Sequence, residues 1–242
     1  MRIRVGAKTD AGLVRANNED SYLLHGRLFA VADGMGGHNA GEVASFVALR
    51  GLRQGSKEAN FADEKALEEY FALLFAQINR DVYAQALLVP NYYGMGTTLT
   101  ALGLCDAGYA FGHVGDSRLY LFRKGQLTQL TQDHSLVAEL VQSGRLSETE
   151  ALNHPLSNVL SRAIGVEPTV MVETGSGDVY AGDLFLLCTD GVFTVVEEDW
   201  IAGLLSQDRS PQGKAEQLVK RALEQGSTDN VTAVVVQVDG SV

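Results

Sequence analysis

Residues 97–130 read TTLTALGLCDAGYAFGHVGDSRLYLFRKGQLTQL. Three runs rich in β-branched, aromatic and aliphatic residues stand out at 97–104, 109–114 and 118–123, and a fourth, 126–130, follows Lys124-Gly125. The links between the first three are Cys105-Asp106-Ala107-Gly108 and Gly115-Asp116-Ser117. A parallel crossover needs a dozen or more residues, so these runs must pair antiparallel, with Lys124-Gly125 as a hairpin turn. Toward the N-terminus, strands are expected at 2–8, 21–24 and 28–32. A helix follows at 41–52, with Val43, Phe46, Val47 and Arg50 on one side. A longer helix at 62–88 carries Leu67, Tyr70/Phe71, Leu74, Ile78 and Val82 at three- and four-residue steps, a stripe that belongs in the core. Toward the C-terminus a short helix is expected at 133–143, with Asp133 or Ser135 as its N-cap. An irregular, polar excursion spans 144–165. Strands at 170–174, 184–188 and 231–238 surround helices near 197–206 and 212–224. The last strand follows the last helix, so the two halves must interleave. The expected class is α+β with antiparallel sheets, as one domain over 1–242; no repeat, low-complexity segment or Pro/Ser-rich linker offers a boundary.

Glycine is enriched, 26 of 242 residues or about 11% against a usual ~7%, and the excess falls at turns. A net charge of −11 opposes nucleic-acid and anionic-membrane partners, because like charges repel within a Debye length. No apolar stretch reaches the ~18 residues of a membrane span. Met1–Val5 lacks the apolar core of a signal peptide, so a cytoplasmic, reducing location is expected, with Cys105 and Cys188 as buried free thiols. With no exposed heptad or apolar patch legible, a monomer is the default expectation.

Four apolar runs each adjoin an aspartate beside small or polar residues: Asp33-Gly34-Met35-Gly36-Gly37, Gly115-Asp116-Ser117, Thr189-Asp190-Gly191 and Thr228-Asp229-Asn230. Each aspartate alone serves equally well as a turn former. Four at strand ends, aimed into one cleft, would repel one another unless cations sit between them. Carboxylates and a backbone carbonyl suit Mg²⁺ or Mn²⁺, whereas Zn²⁺ would ask for the histidines or cysteines, which are scattered. Two such ions bridged by a water yield hydroxide near neutral pH, held for in-line attack on phosphorus. Arg15-Ala16-Asn17-Asn18-Glu19-Asp20 adds a guanidinium fork matched to a phosphate and two more carboxylates, although a solvated loop explains that segment equally well. No G-x-S-x-G and no G-x-x-x-x-G-K-[ST] occurs.

The chain resembles the PPM, or type-2C, metal-dependent serine/threonine phosphatases in their compact bacterial form. The resemblance rests on Arg15…Asn18-Glu19-Asp20, Val31-Ala32-Asp33-Gly34-Met35-Gly36-Gly37-His38, Gly96-Thr97-Thr98-Leu99 and Val114-Gly115-Asp116-Ser117-Arg118. Further on, Asp133-His134-Ser135, Asn158-Val159-Leu160-Ser161-Arg162-Ala163-Ile164-Gly165, Thr189-Asp190-Gly191 and Asp229-Asn230-Val231-Thr232 continue it in the family's order. It implies a four-layer αββα sandwich, two antiparallel β-sheets flanked by helices with metals at one end. It also implies that Asp33 bridges two catalytic ions, that Asp190 and Asp229 complete the first, and that the Gly34 carbonyl binds the second. Glu19 and Asp20 would act through waters, Asp116 with Asp190 would hold a third ion, and Arg15 would hold the substrate phosphate. Residues 144–165 would be the variable flap that bears on substrate choice. Members with a histidine two residues after the bridging aspartate use it as a proposed general acid; Met35 stands there and cannot donate a proton, which leaves His38 or a metal-bound water.

The implied activity is Mn²⁺- or Mg²⁺-dependent hydrolysis of phosphoserine and phosphothreonine in proteins, among them a cognate serine/threonine kinase or its targets. A catalytically silent phosphoprotein-binding module on the same fold is the alternative, opposed by the intact set of aspartates. A metal-dependent phosphodiesterase or nuclease is opposed by the acidic balance.

Overall fold

The computed structural model describes residues 1–36, 40–59, 61–106, 108–151, 154–156 and 158–240. In chain order these form β1 (Arg2–Asp10), β2 (Asp20–His25), β3 (Leu28–Met35), α1 (Ala40–Gly55), α2 (Glu64–Leu88), β4 (Gly96–Thr97), β5 (Leu99–Leu104) and β6 (Gly108–Val114). There follow β7 (Arg118–Arg123), β8 (Gln126–Gln129), α3 (Leu136–Gln142), α4 (Glu148–Ala151), β9 (Glu173–Asp178), β10 (Leu184–Cys188), α5 (Asp190–Phe193), α6 (Glu198–Leu205), α7 (Pro211–Glu224) and β11 (Val231–Asp239). One sheet runs β1-β11-β10-β7-β8; the other runs β2-β3-β5-β6-β9, with β4 beside β3. All the pairings are antiparallel, and β1 lies against β11 from Arg2↔Asp239 to Asp10↔Val231, so the chain's two ends share a sheet.

Side-chain alternation along each strand builds the four layers. On β3, Leu28, Ala30 and Ala32 pack under α1 and α2, while Phe29 and Val31 face the other sheet. On β10, Leu184, Leu186 and Cys188 pack under α6 and α7, while Phe185 and Leu187 face inward. β11 divides the same way, Val231, Ala233 and Val235 against Val234, Val236 and Val238. Both faces of these central strands are buried, which is why they read as unbroken apolar runs. Tyr109 and Phe185 meet edge-to-face between the sheets with centroids 5.1 Å apart. Cys105 and Cys188 are free and buried, in the cores on opposite sides of the sandwich.

Three expectations change. The face of α1 that enters the core is Ala44, Val47, Ala48 and Leu52, and Phe46 is 59% exposed. Small residues let the helix lie close on β3, so the larger Phe46 and Arg50 are turned out. The strand expected at 170–174 begins instead at Glu173, in the polar sequence ETGSGD. This edge strand pairs only with β6, and its Thr174 and Ser176 hydroxyls donate to Glu68 of α2, so no apolar alternation marks it. Finally, α5 begins at Asp190 itself, a short helix that the sequence reading omitted. Apart from α4, the remaining helices fall where expected. Asp63 caps α2, and of the two residues offered as the cap of α3 it is Ser135 that accepts from Ala138 N–H. The irregular stretch 144–165 contains α4 and is tied to the cap of α3 by the bridge Ser135↔Leu160 and to β4 by Thr97↔Ile164.

Candidate active site

Asp33 continues the parity of Phe29 and Val31, so its carboxylate points into the gap between the sheets where the sandwich opens. Asp116 sits in the turn from β6 to β7, Asp190 at the start of α5, and Asp229 just before β11. With Arg15, Glu19, Gly34 and Thr98 they line one cleft of about 220 Å³, and Met35 and Asn158 lie on its wall. Arg15 is the one basic side chain among the described residues lining it.

The backbone of Asp33 is held on three sides. Its N–H donates to Thr98 Oγ1 (2.8 Å), and its carbonyl accepts from Thr98 N–H and Thr97 Oγ1, both at 2.8 Å. Thr98 Oγ1 also bonds Ser117 Oγ at 2.7 Å, which links β3 to the turn that carries Asp116. That turn needs Gly115, whose φ is +111°. Gly34 is needed for a different reason: a Cβ there would lie 2.1 Å from the Gly41 carbonyl oxygen, so α1 packs onto β3 only because no side chain intervenes.

Asn230, to which the sequence reading assigned no role, fastens the N-terminal loop to this edge. Its Nδ2 donates to the carbonyls of Ala11 and Asn17, both at 2.9 Å, and its Oδ1 accepts from Glu19 N–H at 2.8 Å. The result sets Arg15 against Asp229, with Nη2 donating to Oδ2 at 2.8 Å. This bond raises the Arg15 pKa. Asp20 lies opposite Asp33 in the β2–β3 register but behind the cleft, buried, with Thr189 Oγ1 donating to its Oδ2 at 2.8 Å. His38 lies outside the described residues.

Burial, and then the fields of neighbouring carboxylates, disfavour charge here. Asp116 is pushed up to about 7 and Asp190 to about 6. Asp33, surrounded by Asp20, Asp190, Asp116 and Asp229, is raised well above the usual carboxylate range. Asp20 is pushed up to about 7, and burial raises Glu19. Asp190 Oδ1 and Asp20 Oδ1 are buried with no hydrogen-bond partner. A buried polar atom left this way costs roughly 1–3 kcal/mol, more for a charged one. An all-oxygen donor set with excess negative charge and an unsatisfied buried oxygen fits hard divalent ions.

The structure also joins three residues the sequence scattered: ligand atoms of His113, His134 and Glu173 lie within 4.8 Å of one another. Their hydrogen bonds serve the framework. His113 Nδ1 pairs with Thr100 Oγ1 and Nε2 with the Gln132 carbonyl, while His134 Nδ1 accepts from Gly115 N–H. Burial pushes His113 down to about 4, so it is neutral near pH 7.

A sequence profile of the protein phosphatase 2C family matches residues 14–234. The chain belongs to this family. Among curated members, the 2C-family chain is 41% identical over 242 residues to the serine/threonine protein phosphatase PstP of Mycobacterium tuberculosis, covering 98% of this chain and 45% of that protein. It therefore spans about half the length of PstP. It is 37% identical over 238 residues to the serine/threonine phosphatase Stp of Listeria monocytogenes, covering 96% of this chain and 94% of that one. Its fold is that of a solved Streptococcus agalactiae serine/threonine phosphatase (TM-score 0.92, 33% identity, 98% of this chain and 100% of that one). A structure of the PstP catalytic domain with two manganese ions is similarly close (TM-score 0.86, 38% identity, 98% and 99% covered). The expected four-layer sandwich is thus the family's architecture.

Proposed function

We propose that this chain hydrolyses phosphoserine and phosphothreonine in proteins, using divalent metal ions held by the carboxylates of the cleft. The observation that carries the reading is the convergence of Asp33, Asp116, Asp190 and Asp229, from four separate segments, on one cleft with a single basic side chain among the described residues. Asp33, Asp190, Asp229 and the Gly34 carbonyl would hold two catalytic ions, Asp116 with Asp190 would hold a third, and Glu19 would act through waters. Asp20, behind the cleft, would act on Asp33 and Thr189 from within the core. Divalent ions so held supply charge neutralisation and the electrophilic pull that makes water a nucleophile near neutral pH. Mn²⁺ and Mg²⁺ both suit these ligands.

The chain's own residues do the rest. Thr97, Thr98 and Ser117 keep the Asp33 and Asp116 segments in fixed relation, so the carboxylates are positioned before a substrate arrives. Arg15 would be the group for the substrate phosphate: set against Asp229 at the cleft, its guanidinium offers a planar fork matched to two phosphate oxygens. We read residues 1–242 as one phosphatase domain with 144–165 as its flap. The substrates we infer are phosphoproteins, a cognate kinase or its targets among them, met in the cytoplasm by a monomer. No described helix is long and apolar enough to cross a membrane.

The test is phosphate release from a phosphothreonine peptide after chelation and again after Mn²⁺ or Mg²⁺ is restored, with Asp190→Asn alongside. Metal-restored release that the variant cannot perform is the expected result. No release from folded, metal-loaded protein would move the reading to a binding module.

A further inference from the structure

Beside the catalytic cleft lies a second, larger cavity of about 730 Å³, between α3 and α5. Three residues, Asp116, Asn158 and Asp190, line both, so the two spaces adjoin at the metal-binding edge. Away from that edge an apolar strip, Val137, Ala138 and Val141 along one helix and Phe193 from the other, lies among the polar Gln132, Gln142 and Thr194. Phe193 is held in place by the Arg118 guanidinium, 3.8 Å from its ring centroid. Arg118 is in turn clamped by Asp133 at 2.7–3.2 Å, so it is committed to the wall and offers the groove no free cation.

We propose that this groove receives an apolar side chain of the phosphoprotein substrate, close in sequence to the phosphorylated residue, and so sets a sequence preference. This rests on the phosphatase reading of the adjoining cleft. The occupant follows from that adjacency: a peptide whose phosphate sits among the carboxylates and whose chain leaves past Asp116 and Asp190 meets this groove at those residues. The lining decides its chemistry. An aliphatic side chain gains by leaving water against Val137, Val141 and Phe193, whereas an acidic one would meet Asp116, Asp133 and Asp190 across the same space. The reach is set by α3: from Ser135 to Gln142 the wall is about 10 Å long at ~1.5 Å per residue. An extended peptide covers that in roughly three residues at ~3.3 Å each. The side chain concerned is therefore within about three positions of the phosphothreonine.

The experiment compares kcat/KM for p-nitrophenyl phosphate, which is too small to occupy the groove, with a set of phosphothreonine peptides. In these, each of the three positions on either side is varied among Leu, Gly, Asp and Lys, with Mn²⁺ present. One position should favour Leu over Gly and Asp by roughly tenfold or more, the scale at which an apolar pocket discriminates. Val141→Asp should erase that preference and lower the ratio of Leu-peptide to p-nitrophenyl phosphate kcat/KM by about the same factor, through KM. Val141→Leu should keep it, and Ala138→Phe, which fills the space without adding charge, should also lower the ratio. A flat scan, or a preference that Val141→Asp and Ala138→Phe leave in place, overturns the groove while phosphate release still stands. Release from neither substrate overturns the phosphatase reading and the groove together.

Discussion

Asp183 and Asp190 flank the same strand, β10, and meet opposite fates. Asp183 is 1% exposed, yet every demand of its carboxylate is met by the chain: Arg123 donates Nε to Oδ1 at 2.8 Å and Nη2 to Oδ2 at 2.7 Å, and Tyr180 N–H donates to Oδ2 at 2.8 Å. Asp190 has a buried oxygen without a partner, other carboxylates as neighbours and a pKa raised to about 6. One end of the strand is closed by an internal cation. The other is left electrostatically incomplete, and a site built to take charge from outside must be. The contrast separates a polar group that holds the fold from one that serves the function at a cost to the fold.

The sharpest way to break this comparison is to neutralise each end in turn. Asp190→Asn should lower metal-dependent turnover on the order of 10³-fold, since a metal's charge stabilisation is worth several kcal/mol, and should leave the melting temperature in chelator unchanged or higher. Near-normal turnover would remove Asp190 from the metal site. Asp183→Ala should do the reverse, costing about 3 kcal/mol in denaturant unfolding and leaving turnover per folded molecule intact. The figure sits at the lower end for a broken buried pair because Arg123 can reach water. Unchanged stability would mean the pairing does not hold that end.

Two further variants sharpen the functional end. Thr98→Val removes the hydroxyl that joins Asp33 to the Asp116 turn, and should raise the Mn²⁺ concentration for half-maximal activity by roughly tenfold, as a lost outer-shell bond does. Arg15→Ala should raise KM several-fold more than it lowers kcat; an unchanged KM would take Arg15 out of phosphate binding.

The smallest effect is in the pH dependence of stability. Asp20, Asp116 and Asp190 have folded pKa values of about 7, 7 and 6, above the ordinary 3.8 of an unfolded aspartate. Between about pH 4 and 7 the folded state therefore binds more protons than the unfolded, so stability falls as pH rises through that window. In chelator the melting temperature should decline from the contribution of these groups across it, and saturating Mn²⁺ should flatten the decline. A chelated protein whose stability is insensitive to metal and pH there would mean the carboxylates are not coupled as the cleft implies.

Much of the comparison was legible before any coordinates. Leu184–Cys188 is an apolar run, and Thr189-Asp190-Gly191 at its end stood out as one of the four aspartate motifs. The runs and short links of 97–130 were enough for antiparallel pairing, because side-chain period and link length are local constraints. The four aspartate motifs were readable for the same reason: a carboxylate at a strand end beside a small residue is a local pattern. Which aspartate would be satisfied was not readable, since Arg123 and Asp183 are 60 positions apart and meet only because β7 lies beside β10.

Other features were decided by long-range packing alone. Small residues at Ala44 and Ala48 turned Phe46 outward, against the pull of its larger apolar surface. β9 carries no apolar alternation because its hydroxyls answer Glu68 across 106 and 108 positions. Asp20 went behind the cleft through its register with Asp33, and Arg15 met Asp229 because Asn230 pins the intervening loop. By itself the sequence determined most of the elements, the antiparallel class and the oxygen ligands on offer, all carried by residues near one another in the chain. The tertiary structure alone decided which charges find partners, because a partner's distance, and the water its burial excludes, exist only once distant segments have packed together.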